Sequence, residues 1–179
     1  MTTPQFVLDL RERIGHAELW LPGTTAVVLR PIDPESGEPA DAPRGWSRKI
    51  DDVRSVEVLC VRRTDNGAWT PITGIVDPRE DPARAARRET LEEADVEARV
   101  DRLIGVEVVG PVTYDNGDVT SYLDTSFVLE WLSGDPNPAD GENTEATFVR
   151  ADRLPEMNER FTRTIVKALS GSVIADFFE

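Results

Sequence analysis

The stretch from Ile72 to Val96 constrains the fold more than any other part of the chain. A short apolar run, Ile72 to Val76, leads into a loop. Asp81-Pro82 then supplies an N-cap and a proline at the first helical position. The residues that follow, ARAARRETLEEA, are mostly strong helix formers. On that helix Glu89, Glu92 and Glu93 stand at i, i+3 and i+4 and so share one face. Ala85, Leu91 and Ala94 are left to face a core while the glutamates face the other way. A face of clustered like charges is unfavourable alone. It becomes favourable with a divalent cation on it, because hard cations take oxygen ligands.

The rest of the chain supplies the strands such a helix needs beneath it. Residues 4–14 predict an amphipathic helix with Phe6, Val7, Leu10 and Ile14 on one stripe and Gly15 ending it. Residues 21–30 and 55–63 read as strands, with Asp65-Asn66-Gly67 a turn after the second. Residues 31–53, rich in Pro, Gly and Asp, form a loop insertion long enough to suggest function or mobility. Strands follow at about 96–109 and 119–131, separated by Tyr114-Asp115-Asn116-Gly117. Residues 134–143 read as a loop and Thr147 to Arg150 as a last strand. Met157, Phe161, Ile165, Ala168 and Leu169 mark a C-terminal helix at about 156–170. Mixed strands with helices before, within and after them imply a single α/β domain over residues 1–179, layered α/β/α.

Charge narrows the partners. The chain has 179 residues and a net charge of −14 with no basic block, which argues against a nucleic-acid duplex or an anionic membrane. An acidic protein that receives a polyanion must do so through bound cations and a few local arginines. The single cysteine, Cys60, excludes an intrachain disulfide and fits a reducing cytoplasm. The N-terminus lacks the apolar run of a secretory signal, and no segment is long enough to span a bilayer. Cys60 lies in an apolar strand and reads as inert core. His16, the single histidine, reads as local structure at a helix end.

The full pattern is Gly74-x5-Glu80-x7-Arg88-Glu89-Thr90-x-Glu92-Glu93-x-Asp95-Val96. A solvated acidic helix accounts for the glutamates but not for Gly74 and Glu80 at fixed offsets upstream. The pattern closely resembles the Nudix box, residues 74–96 here, of the MutT-like Nudix hydrolases. Trp69-Thr70-Pro71-Ile72-Thr73-Gly74 also stands where relatives carry an aromatic and a proline before the glycine. The order of elements is similar to that of a group of bacterial Nudix proteins over nearly the whole chain. The resemblance implies a Nudix-type α/β/α sandwich with a mixed β-sheet.

It also implies chemistry. By resemblance Glu89, Glu92 and Glu93 bind Mg²⁺ or Mn²⁺, with Glu89 either a ligand or a base acting on water. Arg88 is expected to pair with Glu80 and brace the loop, pointing away from the metal ligands, and Gly74 to relieve a collision or a positive φ. Relatives often add an acidic residue from a late loop as base or extra ligand. Glu142 is the best candidate, with Asp140 and Glu145 as rivals. Arg63, Trp69 and Arg79 are candidates for substrate contact, and Arg62 shares the strand end with Arg63. Three departures stand out: Asp95 replaces a second glycine, Thr90 a larger aliphatic residue, and Arg79 a common glycine.

The expected activity is metal-dependent hydrolysis of the diphosphate in a nucleoside diphosphate linked to another moiety: ADP-ribose, a dinucleotide, a nucleotide sugar or an NTP-like compound. The alternative is a Nudix-fold module that binds a nucleotide without cleaving it. An isoprenyl diphosphate isomerase would need a catalytic Cys and several His ligands, which one Cys60 and one His16 do not provide. Loops 31–53 and 134–144 are the expected substrate determinants. The partner is a small nucleotide, and a homodimer through the N-terminal helix and early strands fits the habit of Nudix relatives.

Overall fold

The computed structural model describes residues 3–139 and 141–177. Helix α1 (Gln5–Ile14) leads into β1 (Leu19–Pro31). After the insertion come β2 (Val56–Arg63), β3 (Trp69–Thr70), β4 (Ile72–Ile75) and helix α2 (Pro82–Ala94). A long hairpin, β5 (Glu97–Thr113) and β6 (Val119–Ser133), precedes β7 (Asn143–Arg150), α3 (Glu159–Leu169) and a short β8 (Asp176–Phe177). The α/β fold expected from the sequence is the one observed.

Among the described residues the strands form one mixed sheet in the order β3-β2-β1-β6-β5-β8, with β4 also paired to β1 and β7 to β2. Strand β1 runs parallel to β6 from Leu19 to Leu29. On its other edge it changes partner: Gly23–Ala26 pair with β4, and Leu29–Pro31 pair with β2. The sheet therefore forks beside β1, and α2 follows directly from the β4 branch.

Alternation along β1 sets the two faces of the sheet. Ala26 and Val28 pack with Ala86, Ala94, Leu59 and Val61 beneath α2. Val27 and Leu29 pack on the other face with Ile165 and Ala168 of α3. Helix α1 covers a smaller cluster of Val7, Leu19, Leu21 and Ile75.

Several elements differ from expectation. In α1, Leu10 and Ile14 are exposed and only Val7 is buried, because Leu19, Leu21 and Ile75 meet only the Val7 side. Strand β7 starts at Asn143 rather than Thr147, since its early residues pair with the end of β2. Helix α3 starts at Glu159, capped by Asn158, whose side chain accepts a hydrogen bond from Phe161 N. The two-residue strands β3 and β8 were too short to read from periodicity.

The insertion is fastened rather than loose. Trp46 and Ile50 join the α3-side cluster. Buried Glu130 accepts hydrogen bonds from Gly45 N at 3.1 Å and Ser47 N at 3.2 Å. This anchored part lies on the sheet face opposite α2, which separates it from the glutamates it was expected to serve.

Candidate active site

Helix α2 begins as the sequence indicates, with Pro82 in its first turn, although the Asp81 side chain makes no capping hydrogen bond. It ends on Asp95 in the left-handed conformation, φ 54°. Arg79 is also left-handed, φ 72°. Both are positions where glycine avoids the Cβ clash, and both are the positions singled out as departures. Thr90 is fully buried, and its hydroxyl donates to Ala86 O at 2.7 Å, so the polar atom is satisfied within the helix.

The loop before α2 is held by Arg88. Its Nε and Nη2 donate to the two carboxylate oxygens of Glu80 at 3.1 and 2.8 Å. Nη2 also donates to Ile75 O at 3.1 Å. Bidentate geometry of this kind fixes orientation as well as energy. Arg88 does more than brace the loop, however. Its Nη1 donates to Glu89 at 2.8 Å and to Glu92 at 2.9 Å. The expectation that Arg88 points away from the presumed ligands is therefore corrected: a long guanidinium spans one helical turn and reaches both.

Gly74 lies within β4 at a negative φ, so its role is space. A Cβ there would sit 2.2 Å from Glu89 Cδ. The Glu89 carboxyl thus lies directly against the backbone of β4. Burial pushes its pKa up to about 7, and the charges of Glu92 and Glu142 add to this, while Arg88 works the other way. Glu142 is thereby placed within electrostatic reach of Glu89.

The glutamates do not all face solvent. Glu93 is only 4% exposed, and Leu91, expected in the core, is 46% exposed. Helix α2 is rolled so that Ala86, Thr90, Glu93 and Ala94 face the protein. Glu93 accepts a hydrogen bond from Asn143 Nδ2 at 2.9 Å. Arg63 stands close enough for the Glu93 charge to raise its pKa, after the larger effect of its hydrogen bond from Nη2 to Asp65 at 2.5 Å.

The structure gathers Glu80, Arg88, Glu89, Glu92, Glu93 and Glu142, with Arg63 at the edge. It leaves other candidates out. Trp69 packs in the α3-side cluster, the wrong face for the glutamates. It is paired with Arg62, and alternation turns it away from Arg63. Arg79 does not belong with these: it is exposed on the loop beside Glu80, which Arg88 ties to the glutamates. Glu145 accepts from Arg62 at 2.8 Å on the surface. Asp140 lies outside the described residues. Burial pushes the Cys60 thiol up to about 12, which leaves no thiolate for nucleophilic work. His16 pairs with Asp118 at 2.8 Å beside the β5–β6 turn.

Among the described residues no three carboxylates converge as a ready cation cage. Arg88 lies between Glu89 and Glu92, and Glu93 is turned to Asn143. The donors nonetheless suit a hard divalent cation in kind, being carboxylate oxygens throughout. The cluster holds five carboxylates against Arg88 and the neighbouring Arg63, which is a strongly negative local field.

Sequence reasoning missed Asn143. No local signal marks it, because its partner Glu93 is 50 residues away.

Comparison with known proteins bears on the same residues. A family model described as the NUDIX domain matches residues 50–169. A "MutT-like protein" from Streptomyces ambofaciens is 29% identical over 117 residues, covering 64% of this chain and 70% of that protein. The fold is similar to the crystal structure of a UDP-X diphosphatase, with a TM-score of 0.56 and 16% identity over 93% of this chain and 70% of that one. It is also similar to an ADP-ribose pyrophosphatase from Streptococcus suis, with a TM-score of 0.55 and 15% identity over 87% of this chain and 96% of that one. At such identities these structures speak to the fold alone.

Proposed function

The chain belongs to the Nudix hydrolase family, and on that premise we propose that it is a metal-dependent pyrophosphohydrolase of nucleoside diphosphate derivatives. The observation that carries the reading is the gathering of Glu89, Glu92, Glu93 and Glu142 around the turn of α2 that rests on Gly74. So much negative charge at a half-buried site is costly unless a cation or a proton offsets it.

Glu92 and Glu93 are the residues to hold Mg²⁺ or Mn²⁺, with Glu89 as a third oxygen donor or as the group that takes a proton. When bound there, the cation supplies the positive charge that an acidic protein needs to receive a diphosphate and to offset charge on its oxygens. Arg88 retains its hydrogen bonds to Glu80 and Ile75 O if Nη1 releases Glu89 and Glu92. The loop therefore stays braced while the two carboxylates become available. Glu89, held against the backbone of β4, is placed to accept the proton of an attacking water. Glu142 is the alternative base, close by in the bend that leads into β7. Water attacks one phosphorus, one phosphoanhydride P–O bond breaks, and a nucleotide and a phosphorylated product leave. Proteins of the same fold include a UDP-X diphosphatase and an ADP-ribose pyrophosphatase, and this substrate class is in keeping with them.

The test is a panel of ADP-ribose, dinucleotides, nucleotide sugars and nucleoside triphosphates, incubated with Mg²⁺ and analysed for released nucleotide. Turnover of at least one compound is expected. A panel with no turnover but a clear thermal shift by a nucleotide would replace this reading with that of a binding module.

A further inference from the structure

We propose that Asn143 is a positioning residue that sets the Glu93 carboxylate for cation binding, an inference that rests on the metal-dependent reading above. The reason lies in the register of β7. Phe148 pairs with Leu59 and Ala146 with Val61, and all four residues face the α2-side cluster. Strict alternation would next place Thr144 opposite Arg63. The ladder instead shifts between Arg62 and Arg63, so that Asn143 stands opposite Arg63. An extra residue of this kind re-aims a side chain. Here it turns Asn143 onto the α2 face and leaves Thr144 exposed, its hydroxyl donating to Arg62 O at 3.2 Å.

The irregular stretch is pinned on both sides. Thr64 N donates to Glu142 O at 2.9 Å, and Thr64 Oγ1 donates to Gly141 O at 3.2 Å. Asn143 itself is only 6% exposed, and its Nδ2 donates to Glu93 Oε2 at 2.9 Å within the protein. A strand end on the surface has no need of a buried amide. A carboxylate that must present an oxygen in one direction does, because a long glutamate otherwise samples several rotamers.

The choice of an amide also matters. A neutral donor holds one oxygen of Glu93 without contributing a positive charge that would compete with a cation for the other. Glu89 and Glu92 accept from the charged Arg88, whereas Glu93 accepts from the neutral Asn143, with the charge of Arg63 nearby. Partners behind a ligand orient it and typically influence metal affinity by about 10–100-fold.

The experiment titrates Mn²⁺ into nucleotide-free protein by calorimetry, for wild type, Asn143→Ala and Glu93→Gln, with thermal melting of each in chelator. Asn143→Ala is expected to bind Mn²⁺ about 10-fold more weakly, with an unchanged unfolding transition in chelator. Kinetically, the apparent KM for Mg²⁺ rises while kcat at saturating Mg²⁺ stays near wild type. If Asn143→Ala melts early, Asn143→Leu fills the space without a donor, and weakened Mn²⁺ binding by that variant supports the proposal equally. Wild-type Mn²⁺ affinity in a folded Asn143 variant, beside a loss in Glu93→Gln, would overturn the role of Asn143 and leave the metal site standing. Absence of Mn²⁺ binding to the wild type would instead overturn the metal-dependent reading and this inference with it.

Discussion

Two carboxylate clusters lie on opposite faces of the same sheet, and their partners differ. On the α3 side, Glu130 and Asp101 meet Arg48, Arg99 and Arg102. Glu130 is fully buried and accepts from Gly45 N, Ser47 N and Arg99. Burial alone would raise the pKa of Asp101, but hydrogen bonds from Arg48 and Arg102 hold it below the usual carboxylate range. On the α2 side, Glu80, Glu89, Glu92, Glu93 and Glu142 share Arg88 and the nearby Arg63. There the buried Glu89 carboxyl is pushed up instead. One cluster has more guanidinium groups than carboxylates and fastens a loop. The other has too few and is left in need of positive charge. Arg88 holds Glu80 below the usual carboxylate range as Arg48 and Arg102 hold Asp101, so within the α2 cluster it is Glu89 whose pKa moves the other way, and that sets it apart from the structural pairs.

Breaking the satisfied cluster is expected to give the largest effect on stability. Glu130→Ala leaves Arg99 and two backbone amides without their acceptor, and loss of one member of a buried pair costs about 3–5 kcal/mol. Chemical denaturation should show that loss, while turnover per folded molecule stays near wild type. A matching loss of turnover would mean that the 43–50 segment serves the α2 face after all.

Gly74→Ala acts on the other cluster. The added Cβ displaces the Glu89 side chain, whose flexible end is what it meets. The fold should survive, and turnover should fall about 100-fold, the scale of an ångström misplacement at a reacting group. A variant that loses stability but keeps its rate would show that Glu89 is not confined by β4.

The pH dependence sharpens the contrast. The folded pKa of Glu89, about 7, lies above its ordinary value of 4.5. Below pH 4.5 the carboxyl is protonated in both states, and no penalty exists. Between 4.5 and 7 the unfolded chain gives up its proton first, so stability falls as pH rises, and above 7 the penalty is complete. In chelator, Glu89→Gln should therefore gain over wild type from pH 5 to 8, by on the order of 2 kcal/mol. Its activity should be lost in the same variant. A constant difference across that range would remove Glu89 from the unsatisfied cluster. The smallest effect is expected at the exposed Arg62–Glu145 pair: Glu145→Ala should change both stability and turnover little, within about 0.5 kcal/mol.

Local signals made α2 and its flanking strands legible in the sequence, because Pro82, the helix formers after it and the β-branched runs act over a few residues. The roll of α2 was not legible. Leu91 looks like core and Glu93 like surface by residue type, yet the packing of Ala86, Thr90 and Ala94 on the sheet decides the reverse. Asn143 was hidden for a related reason: its direction depends on a ladder shift set by pairing with Arg63, 80 positions earlier. Glu130 is a charge in an apolar strand, and the Gly45–Ser47 backbone that satisfies it lies more than 80 residues away. Where the determinant is one side chain meeting a distant backbone, spacing along the chain carries no trace of it.

In the proposed function the acidic face of α2 holds a divalent cation for phosphoanhydride cleavage. The most direct test of that role is the hydrolysis rate of the best panel compound as free Mg²⁺ is raised from chelated levels, for wild type and Glu93→Gln. The wild type should show no turnover in chelator and a saturable rise with Mg²⁺, and Glu93→Gln should fall about 1,000-fold, roughly 4 kcal/mol of barrier, while remaining folded. Equal rates with and without chelator, or a wild-type rate in Glu93→Gln, would contradict it.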